Sequence, residues 1–334
     1  MVRSGTRRGA YYRPVDSLDR STIWPYEDGE PGAFYYQRYG HPTGAEAERA
    51  LGELEGGTAL LFPSGAGATT ALVLTLLNPG DTVALAAGAY FGTGRLLGSL
   101  ARWGVDVLEF DQTGPPPERV QLVWLEAPAN PLLTMPDLEA AAVHPATVVV
   151  DSTAATPIHL RPLEHGADFV LHSATKYLAG HHDVLLGAVV CKREDDANRI
   201  RELRGTLGIV AAPDPCWLLL RSLKTLRIRV ERQTATAREL ARRLGGHPAV
   251  ELVRYPGFGG LISFDVAGGD AARRVETATR LIANATSLGG TDSTMESRHR
   301  WEGDRIPAGL LRLSVGLEGA DELWADLKQA LDQV

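Results

Sequence analysis

Residues 169–183 read FVLHSATKYLAGHHD, in which a short apolar run is followed at once by hydroxyl residues and a lysine, Lys176. The chain has only three other lysines, so amine groups are scarce. A lysine that reacts as a neutral amine must be held near an electrophile and partly shielded from water. The stretch therefore indicates either a chemically active lysine at the end of a buried strand or, alternatively, an exposed loop lysine.

Apolar runs of strand length recur on both sides of this stretch and alternate with helical segments. The strand-like runs are residues 59–62, 82–86, 105–110, 120–125, 147–150, 169–171 and 185–190, and the helical segments are residues 45–54, 66–77, 92–103 and 136–143. Continuous apolar strands separated by helices are typical of a parallel or mixed sheet covered on both faces. Ligands of such sheets bind at the carboxyl ends of the strands. The predicted fold class is therefore α/β.

The C-terminal third shows a different pattern. The sequence predicts one long helix over residues 217–244, then a strand at 261–266, a helix at 271–283, a strand at 310–315 and a closing helix at 320–331. Residues 1–45 are rich in Gly, Pro, Tyr and Arg and have no clear period. We therefore predict an N-terminal arm (1–45), a large α/β domain (46–230) and a small α+β domain (231–334).

Composition argues against several classes of protein. The 334 residues carry a net charge of −7, which does not suit a nucleic-acid-binding surface. The two cysteines, Cys191 and Cys216, supply neither a metal-binding spacing nor a disulfide framework. No apolar stretch is long enough to span a membrane, and the N-terminus lacks the apolar segment of a signal peptide. We expect a cytoplasmic protein that acts on a small molecule.

Two further strand ends carry residues suited to chemistry. Residues 63–69 read PSGAGAT, and small residues at a helix start let backbone N–H groups approach an anion, although a plain strand–turn–helix junction has the same pattern. Asp151 follows the run 147–150 and either caps a helix or acts in a site. Pyridoxal 5′-phosphate (PLP) needs a lysine, a phosphate site and an acid against its pyridine nitrogen. The three strand ends together favour a PLP site.

Six segments, in order, resemble the Cys/Met-metabolism PLP enzymes, which include cystathionine γ-synthase, cystathionine γ-lyase, cystathionine β-lyase, methionine γ-lyase and O-acetylhomoserine sulfhydrylase. The segments are YQRYGHPT (36–43), WLEAPANP (124–131), VVDST (149–153), HSATKYLAGHHD (172–183), LLLRSLKTL (218–226) and LLRLSVG (310–316). The resemblance implies an aspartate aminotransferase-like large domain of fold type I, with a mixed and mostly parallel sheet. It also implies PLP as the cofactor.

The resemblance implies a role around the cofactor for each matching residue. Lys176 looks like the lysine that carries PLP as a Schiff base and moves protons on the substrate. Asp151 looks like the partner of the pyridine nitrogen, and Tyr90 like the tyrosine that stacks on the ring and acts as a base. The residues that match phosphate-binding groups are Gly65, Ala66, Ser173 and Thr175, and, from the neighbouring subunit, Tyr36 and Arg38. A homo-oligomer is therefore implied, either a dimer with shared sites or a tetramer.

Other matches imply how an amino-acid substrate is held. Arg312 resembles the arginine that binds the α-carboxylate with two hydrogen bonds, and Ser293 matches a serine near the lysine, implied to be catalytic. The other residues implied at the substrate are Asn130, Glu126, Arg95 and Asp292. Asp292 and Arg95 together are compatible with the polar far end of cystathionine. The implied reaction breaks or replaces the Cγ–S or Cγ–O bond of a sulfur amino acid or an activated homoserine.

One segment departs from the family pattern. Residues 295–301 read MESRHRW, where relatives have a loop with histidine, proline and threonine that borders the substrate side-chain pocket. One alternative is the same PLP chemistry on a specialised substrate, such as a β-lyase, methionine γ-lyase or sulfhydrylase reaction. Another is a non-catalytic PLP-binding protein. A nicotinamide enzyme fits poorly, because residues 65–67 (GAG) lack the third glycine of the dinucleotide fingerprint.

Overall fold

The structure is a computed structural model that describes residues 17–334. Its elements up to residue 245 are α1 (Pro42–Glu55), β1 (Thr58–Phe62), α2 (Gly65–Leu76), β2 (Thr82–Ala86), α3 (Phe91–Ser99), β3 (Asp106–Phe110), β4 (Leu122–Glu126), α4 (Leu138–Ala142), β5 (Thr147–Asp151), α5 (Thr156–His159), β6 (Phe169–His172), β7 (Gly187–Cys191), α6 (Glu194–Leu207), α7 (Pro213–Leu223) and α8 (Leu226–Leu244), with 3-10 turns at Leu100–Trp103 and Pro162–His165. Of the predicted N-terminal arm, residues 1–16 lie outside the described part. Residues 17–41 have irregular backbone with two isolated β-bridges.

A seven-stranded sheet with the order β1-β7-β6-β5-β4-β2-β3 forms the centre of this part. β7 runs antiparallel to both of its neighbours, and the other neighbouring strands are parallel. The predicted mixed, mostly parallel sheet is therefore confirmed. Leu60 and Phe62 pack with residues of α2, whereas Ala59 and Leu61 pack on the other face with residues of α1 and α7. Because both faces are buried, the strands read as unbroken apolar runs.

The C-terminal part is built on a second sheet. Its elements are β8 (Leu252–Arg254), β9 (Leu261–Asp265), α9 (Gly268–Ala278), β10 (Ala283–Asn284), β11 (Thr294–Ser297), α10 (His299–Glu302), β12 (Leu310–Ser314) and α11 (Ala320–Leu331), with a 3-10 turn at Gly303–Arg305. The strand order is β10-β11-β12-β9-β8, and only the β10–β11 pair is parallel within the described residues. One face packs against α8, α9 and α11. The predicted boundary at residue 231 falls inside α8, whose first half packs in the large core and whose second half packs here.

The prediction of a single helix over residues 217–244 is wrong. α7 ends at Leu223, and a separate helix, α8, begins at Leu226. The Ser222 carbonyl accepts hydrogen bonds from the Thr225 backbone N–H and from the Arg229 guanidinium. These bonds take the carbonyl that a continuous helix would use at residue 226. The helix predicted over 271–283 also ends early, at Ala278, because Ala283 pairs with Thr294 in the second sheet.

The sequence pattern missed α6 and the short strands β8, β10 and β11. α6 is mostly polar, and its buried face is limited to Asp196, Ala197, Ile200, Arg204 and Gly205. Its start is acidic and it ends at a left-handed glycine, Gly208, so helix-end signals were present where apolar periodicity was weak. Within the described residues, no helix is both long and apolar enough to cross a membrane.

A buried arginine fixes the chain that follows Lys176. Arg229 on α8 donates hydrogen bonds to the carbonyls of Tyr177 at 2.8 Å and Leu178 at 3.3 Å. Burial lowers the pKa of Arg229 to about 10. Gly180 turns the chain with a φ of +71°, and a Cβ at this position would lie 2.0 Å from Arg229 Nη1. Both the backbone conformation and the guanidinium therefore require glycine at position 180.

We predict that Gly180→Ala lowers the free energy of unfolding by about 2 kcal/mol or more, through strain at positive φ and displacement of Arg229. The matched control is Gly98→Ala on α3, where a Cβ would meet no atom within 4 Å. This control should raise the free energy of unfolding by about 0.5–1 kcal/mol, because alanine is the better helix former. Urea unfolding compares the two variants. Equal stability of both would contradict the role given to Gly180.

Candidate active site

A cavity of about 500 Å³ lies where the carboxyl ends of β4, β5 and β6 meet the C-terminal part of the chain. The strand ends contribute Glu126, Asn130, Asp151, Thr153, Ser173, Thr175 and Lys176; the start of α2 contributes Ser64, Gly65 and Ala66; residues at and after the start of α3 contribute Tyr90, Phe91, Thr93 and Leu96; and the C-terminal part contributes Thr286, Ser287, Leu288, Arg298, Trp301 and Arg312. Its volume is within the usual range for a small-molecule site.

The register of the parallel strands places two carboxyl groups side by side. Glu126 is the last residue of β4 and pairs with Asp151, the last residue of β5. Burial, reinforced by the charge of Asp151, raises the pKa of Glu126 well above its usual range. Burial also raises the pKa of Asp151, although Asp151 Oδ1 accepts a hydrogen bond from the Thr153 backbone N–H at 3.0 Å. Two adjacent buried carboxyl groups favour a cationic partner.

Glu126 acts on the protein backbone in this structure. Its Oε2 accepts a hydrogen bond from the Tyr90 backbone N–H at 2.6 Å, and its Oε1 accepts one from the Asn130 backbone N–H at 3.0 Å. It therefore connects two other residues of the cavity wall. Glu126 also lines the cavity, and its contact with the substrate stays a prediction.

The start of α2 forms one end of the cavity. Ser64 Oγ accepts the Gly67 backbone N–H at 3.0 Å, while the N–H groups of Gly65 and Ala66 belong to the first turn and have no partner within the helix. A Cβ on Gly65 would lie 3.0 Å from the Cβ of Ser173, so this approach is tight. The Thr175 hydroxyl is already engaged, donating to the Leu186 carbonyl and accepting from its N–H. The end therefore offers backbone donors and the Ser173 hydroxyl to an anion.

Lys176 lies at the centre of the cavity wall and contacts Ser287. Its Nζ donates to Ser287 Oγ at 3.1 Å. Burial, with the nearby charges of Arg312 and Arg298, lowers the pKa of Lys176 to about 8, against the opposing charge of Glu296. A substantial fraction of the amine is therefore neutral near pH 8. The expected active lysine fits this environment better than an exposed loop lysine does.

Arg312 is held by three groups. Its Nη1 donates to Asn130 Oδ1 at 3.0 Å, and its Nη2 donates to the Ser287 carbonyl at 2.8 Å and to Glu296 Oε1 at 2.6 Å. The residue is 3% exposed, and burial, followed by the charge of Arg298, lowers its pKa to about 10. Asn130 therefore supports Arg312, as the resemblance implied. Glu296 was not foreseen from the sequence.

Three predicted site residues do not reach this cavity. Ser293 instead donates from Oγ to Glu318 Oε2 at 2.8 Å, and the serine beside Lys176 is Ser287. Asp292 is exposed, and Arg95 is exposed on α3, whose residues 92, 93 and 96 face the cavity instead. These three residues do not line this cavity in the described chain, and their roles at the substrate stay predictions. The serine that contacts Lys176 therefore lies six positions before the one that the resemblance indicated, in the same Gly-rich segment.

Ser287 could have been found by its backbone signal. It directly precedes Leu288-Gly289-Gly290 and has a φ of +86°, a conformation that is uncommon for residues other than glycine. Strained backbone of this kind concentrates at functional sites. Its hydroxyl contacts Lys176 while its carbonyl contacts Arg312. One residue thus links the lysine to the arginine.

The predicted aromatic and arginine contributions separate into two places. Tyr90 lines the cavity and is 42% exposed, and Gly92 makes room for its ring, because a Cβ there would lie 2.4 Å from Tyr90 Cε1. Tyr36 and Arg38 do not line this cavity. Arg38 donates to the Gly205 carbonyl at 2.7 Å, and Tyr36 borders a second cavity of about 720 Å³ beside α1. Within one chain, these two residues are therefore separate from Lys176.

Comparison with known proteins identifies the family. The family model for the Cys/Met metabolism PLP-dependent enzymes matches residues 10–332. This chain belongs to that family. A putative cystathionine gamma-lyase of Streptomyces coelicolor is 38% identical, with 91% of this chain and 86% of the relative covered, and the L-methionine gamma-lyase of Pseudomonas putida is 39% identical with the same coverage. The crystal structure of cystathionine gamma synthase from Xanthomonas oryzae pv. oryzae, in complex with aminoacrylate and cysteine, has a TM-score of 0.90 at 33% identity, covering 95% of this chain and 92% of that one.

Membership makes this chain a PLP-dependent enzyme of fold type I, and the cavity fits the cofactor. Gly65, Ala66 and Ser173 surround one end of the cavity. That end has backbone N–H donors without a partner in the helix and little space for a side chain at position 65, which suits the phosphate. Asp151 is one of two adjacent buried carboxyl groups that favour a cationic partner, so it suits the protonated pyridine nitrogen. Lys176 lines the same cavity, and its amine would hold the aldehyde carbon of the cofactor.

We predict that Lys176 in the cofactor-free protein reacts with a small acylating reagent at a rate that rises with pH and levels off above about pH 8. The sign follows from its lowered pKa, because only the neutral amine reacts and burial disfavours the charged form. Mass spectrometry of labelled peptides measures the rate, with exposed Lys192 as the internal reference. A Lys176 rate that keeps rising through pH 10 would contradict the lowered pKa.

Proposed function

We propose that this enzyme cleaves or replaces the γ-substituent of a sulfur amino acid or an activated homoserine, with γ-cleavage of L-cystathionine as the first reaction to test. The observation that carries the proposal is that Lys176, Asp151, Tyr90 and Arg312 line one cavity. The relatives named cystathionine gamma-lyase, cystathionine gamma synthase and L-methionine gamma-lyase support a reaction in this class.

Arg312 binds the substrate α-carboxylate in this proposal. Its position is fixed before substrate arrives by Asn130 and by the Ser287 carbonyl. Its Nε is buried without a hydrogen-bond partner within the described residues, and the residue lines the cavity where the carboxylate would bind. A guanidinium held in advance loses little freedom on binding and orients Cα toward Lys176.

Lys176 carries the proton transfers. When bound, PLP withdraws electrons from Cα of the amino acid and so weakens the bonds next to it. Lys176, partly neutral because of burial, takes the proton from Cα, passes it on to the bound cofactor, and is then free to take one from Cβ. The bond from Cγ to its sulfur or oxygen then breaks, and the leaving group takes up a proton. Ser287 holds the amine at 3.1 Å, and the Tyr90 oxygen accepts a hydrogen bond from the incoming ammonium group. In a lyase reaction one water molecule is then consumed, and the products from a sulfur amino acid are a ketoacid, ammonia and a thiol.

We further propose a homodimer with shared active sites. Tyr36 and Arg38 lie outside the cavity of their own chain, and Tyr36 is 41% exposed. The Arg38 guanidinium lies 4.5 Å from the ring centroid of Tyr39 and 5.2 Å from that of Tyr36, which keeps these side chains together. In the proposed dimer this group reaches the phosphate end of the partner subunit's cavity. A tetramer is an extension of the same proposal.

A reducing compartment, such as the cytoplasm, is also part of the proposal. Cys191 and Cys216 are both free and buried, and burial raises the pKa of each thiol to about 12. Buried, protonated thiols react slowly with oxidants. Because neither cysteine forms a disulfide, the fold does not depend on an oxidising environment.

We predict that the purified protein releases ketoacid and cysteine from L-cystathionine, and that Lys176→Ala lowers kcat by roughly 10³-fold or more, because no other group in the cavity replaces its amine. Coupled detection of ketoacid measures the rate, and visible absorbance of the bound cofactor reports on its attachment. Lys192→Ala, on the surface, is the control. A wild-type rate in Lys176→Ala would overturn the catalytic assignment.

The shared-site proposal predicts complementation between two variants. Lys176→Ala and Arg38→Ala should each be poorly active alone, and co-expression should restore roughly a quarter of wild-type activity, because random pairing in a two-fold symmetric dimer leaves one intact site in each heterodimer. Co-expression of Lys176→Ala with Asp151→Ala is the matched control, since both changes affect residues of one chain's cavity. Recovery in the control, or none in the test pair, would contradict shared sites.

A further inference from the structure

Two guanidinium groups, rather than one, line the active-site cavity. Arg312 lies on β12, and Arg298 directly follows β11. The two side chains are equally buried, each 4% exposed. Arg298 lies in residues 295–301, the segment that departs from the family resemblance. The proposed reaction gives Arg312 an α-carboxylate to bind and leaves Arg298 without a function.

Glu296 holds the two guanidinium groups in place. Its Oε1 accepts hydrogen bonds from Arg312 Nη2 at 2.6 Å and from Arg298 Nη1 at 2.9 Å, and its Oε2 accepts one from Trp301 Nε1 at 3.1 Å. Arg298 Nη2 also donates to Glu302 Oε1 at 2.8 Å. Neither glutamate lines the cavity, so the carboxylates lie behind the arginines. They offset the repulsion between two buried cations and fix the geometry of both.

Both arginines retain an unsatisfied donor. The Nε atoms of Arg298 and Arg312 are buried and have no hydrogen-bond partner among residues 17–334. A buried guanidinium N–H without an acceptor is unfavourable, and such groups in folded proteins are usually satisfied by a ligand, an ion or water. The substrate α-carboxylate explains the free donor of Arg312. Arg298 lines the same cavity, so a second anionic group of a bound ligand can pair with its guanidinium there.

We propose that Arg298 binds a second carboxylate, at the far end of the substrate, and selects amino acids whose γ-substituent ends in an anionic group. The proposal rests on the proposed function for the site of reaction, because the reacting Cγ must lie between the two ends. Glu296 is a positioning residue that sets the spacing of the two arginines. Exposed Trp301 borders the cavity beside Arg298 and forms part of its wall.

The consequence is discrimination against uncharged γ-substituents. An amino acid that ends in a methyl group leaves the Arg298 donor unpaired, whereas one that ends in a carboxylate satisfies it. Cystathionine and O-succinylhomoserine belong to the favoured class, and methionine and O-acetylhomoserine do not. The sequence alone suggested Arg95 and Asp292 for this end of the substrate, but both are exposed and outside the cavity.

Binding of two unreactive amino acids of equal length tests the proposal. L-2-aminoadipate differs from L-norleucine only by a terminal carboxylate in place of a methyl group, and neither has a leaving group at Cγ. Isothermal titration of the PLP-loaded enzyme should show aminoadipate binding about 10- to 100-fold more tightly, the range for a charge-assisted hydrogen-bonded pair. Equal affinities would overturn the proposal.

Arg298→Met should remove this preference and leave the ratio of the two dissociation constants within about threefold of one. The matched control is Arg300→Met, two residues away, whose guanidinium pairs with Glu276 and does not line the cavity. This control should keep the wild-type ratio. An unchanged ratio in Arg298→Met would overturn the proposal, as would loss of the ratio in both variants.

Two further variants keep the test readable if Arg298→Met does not fold. Arg298→Met with Glu302→Gln removes one charge of each sign, and it should also lose the preference. Arg298→Lys keeps the charge without the planar fork, and it should retain part of the preference. Because neither ligand has a leaving group at Cγ, these titrations remain informative even if L-cystathionine is not cleaved. Failure of the proposed reaction and failure of the Arg298 assignment are thus separate results.

Discussion

The hydrogen-bonded register of β4, β5 and β6 is the constraint on which the site depends. Because these strands are parallel and in step, Glu126 lies next to Asp151, and the segment carrying Lys176 leaves the sheet beside them. A shift of one residue in a strand would turn its terminal side chain to the opposite face. The apolar residues on both faces prevent such a shift, since the residues on opposite faces of each strand pack into different hydrophobic cores. Packing of the sheet interior therefore positions the chemistry at its edge.

Buried cations are compensated in two ways around this edge. Arg229 is satisfied by backbone carbonyls, and in doing so it fixes the turn that follows Lys176. Arg312 and Arg298 instead share a carboxylate, Glu296. The carbonyls around Arg229 use its donors for the fold itself. The carboxylate that Arg312 and Arg298 share neutralises part of their charge and leaves each guanidinium with donors free for a ligand. The difference in partners separates the arginine that stabilises the fold from the two that are proposed to bind substrate.

Residues that follow buried strands were found from the sequence, whereas on the C-terminal part only Arg312, which lies in a segment that resembles the family, was found. Lys176 and Asp151 stand out because an apolar run precedes each one, so their position at a strand end is readable locally. Ser287 was confused with Ser293, because both lie near the same glycines and only the backbone turn decides which one meets the lysine. Arg298 and Glu296 lie in a segment without the family's pattern. Their contact with the cavity depends on how the second sheet packs against the first.

The sequence by itself determined the α/β class, the family, the cofactor and the lysine, because strand periodicity and ordered motifs are local properties of the chain. It also indicated that residues 295–301 would differ from relatives. Only the tertiary structure decided that Arg95, Asp292 and Ser293 lie outside the cavity and that Arg298 lies inside it. The physical reason is that the C-terminal residues that close the cavity lie more than a hundred positions along the chain from Lys176 and the strand ends. Apart from the segment that contains Arg312, no local pattern specifies which of their side chains meet the strand ends.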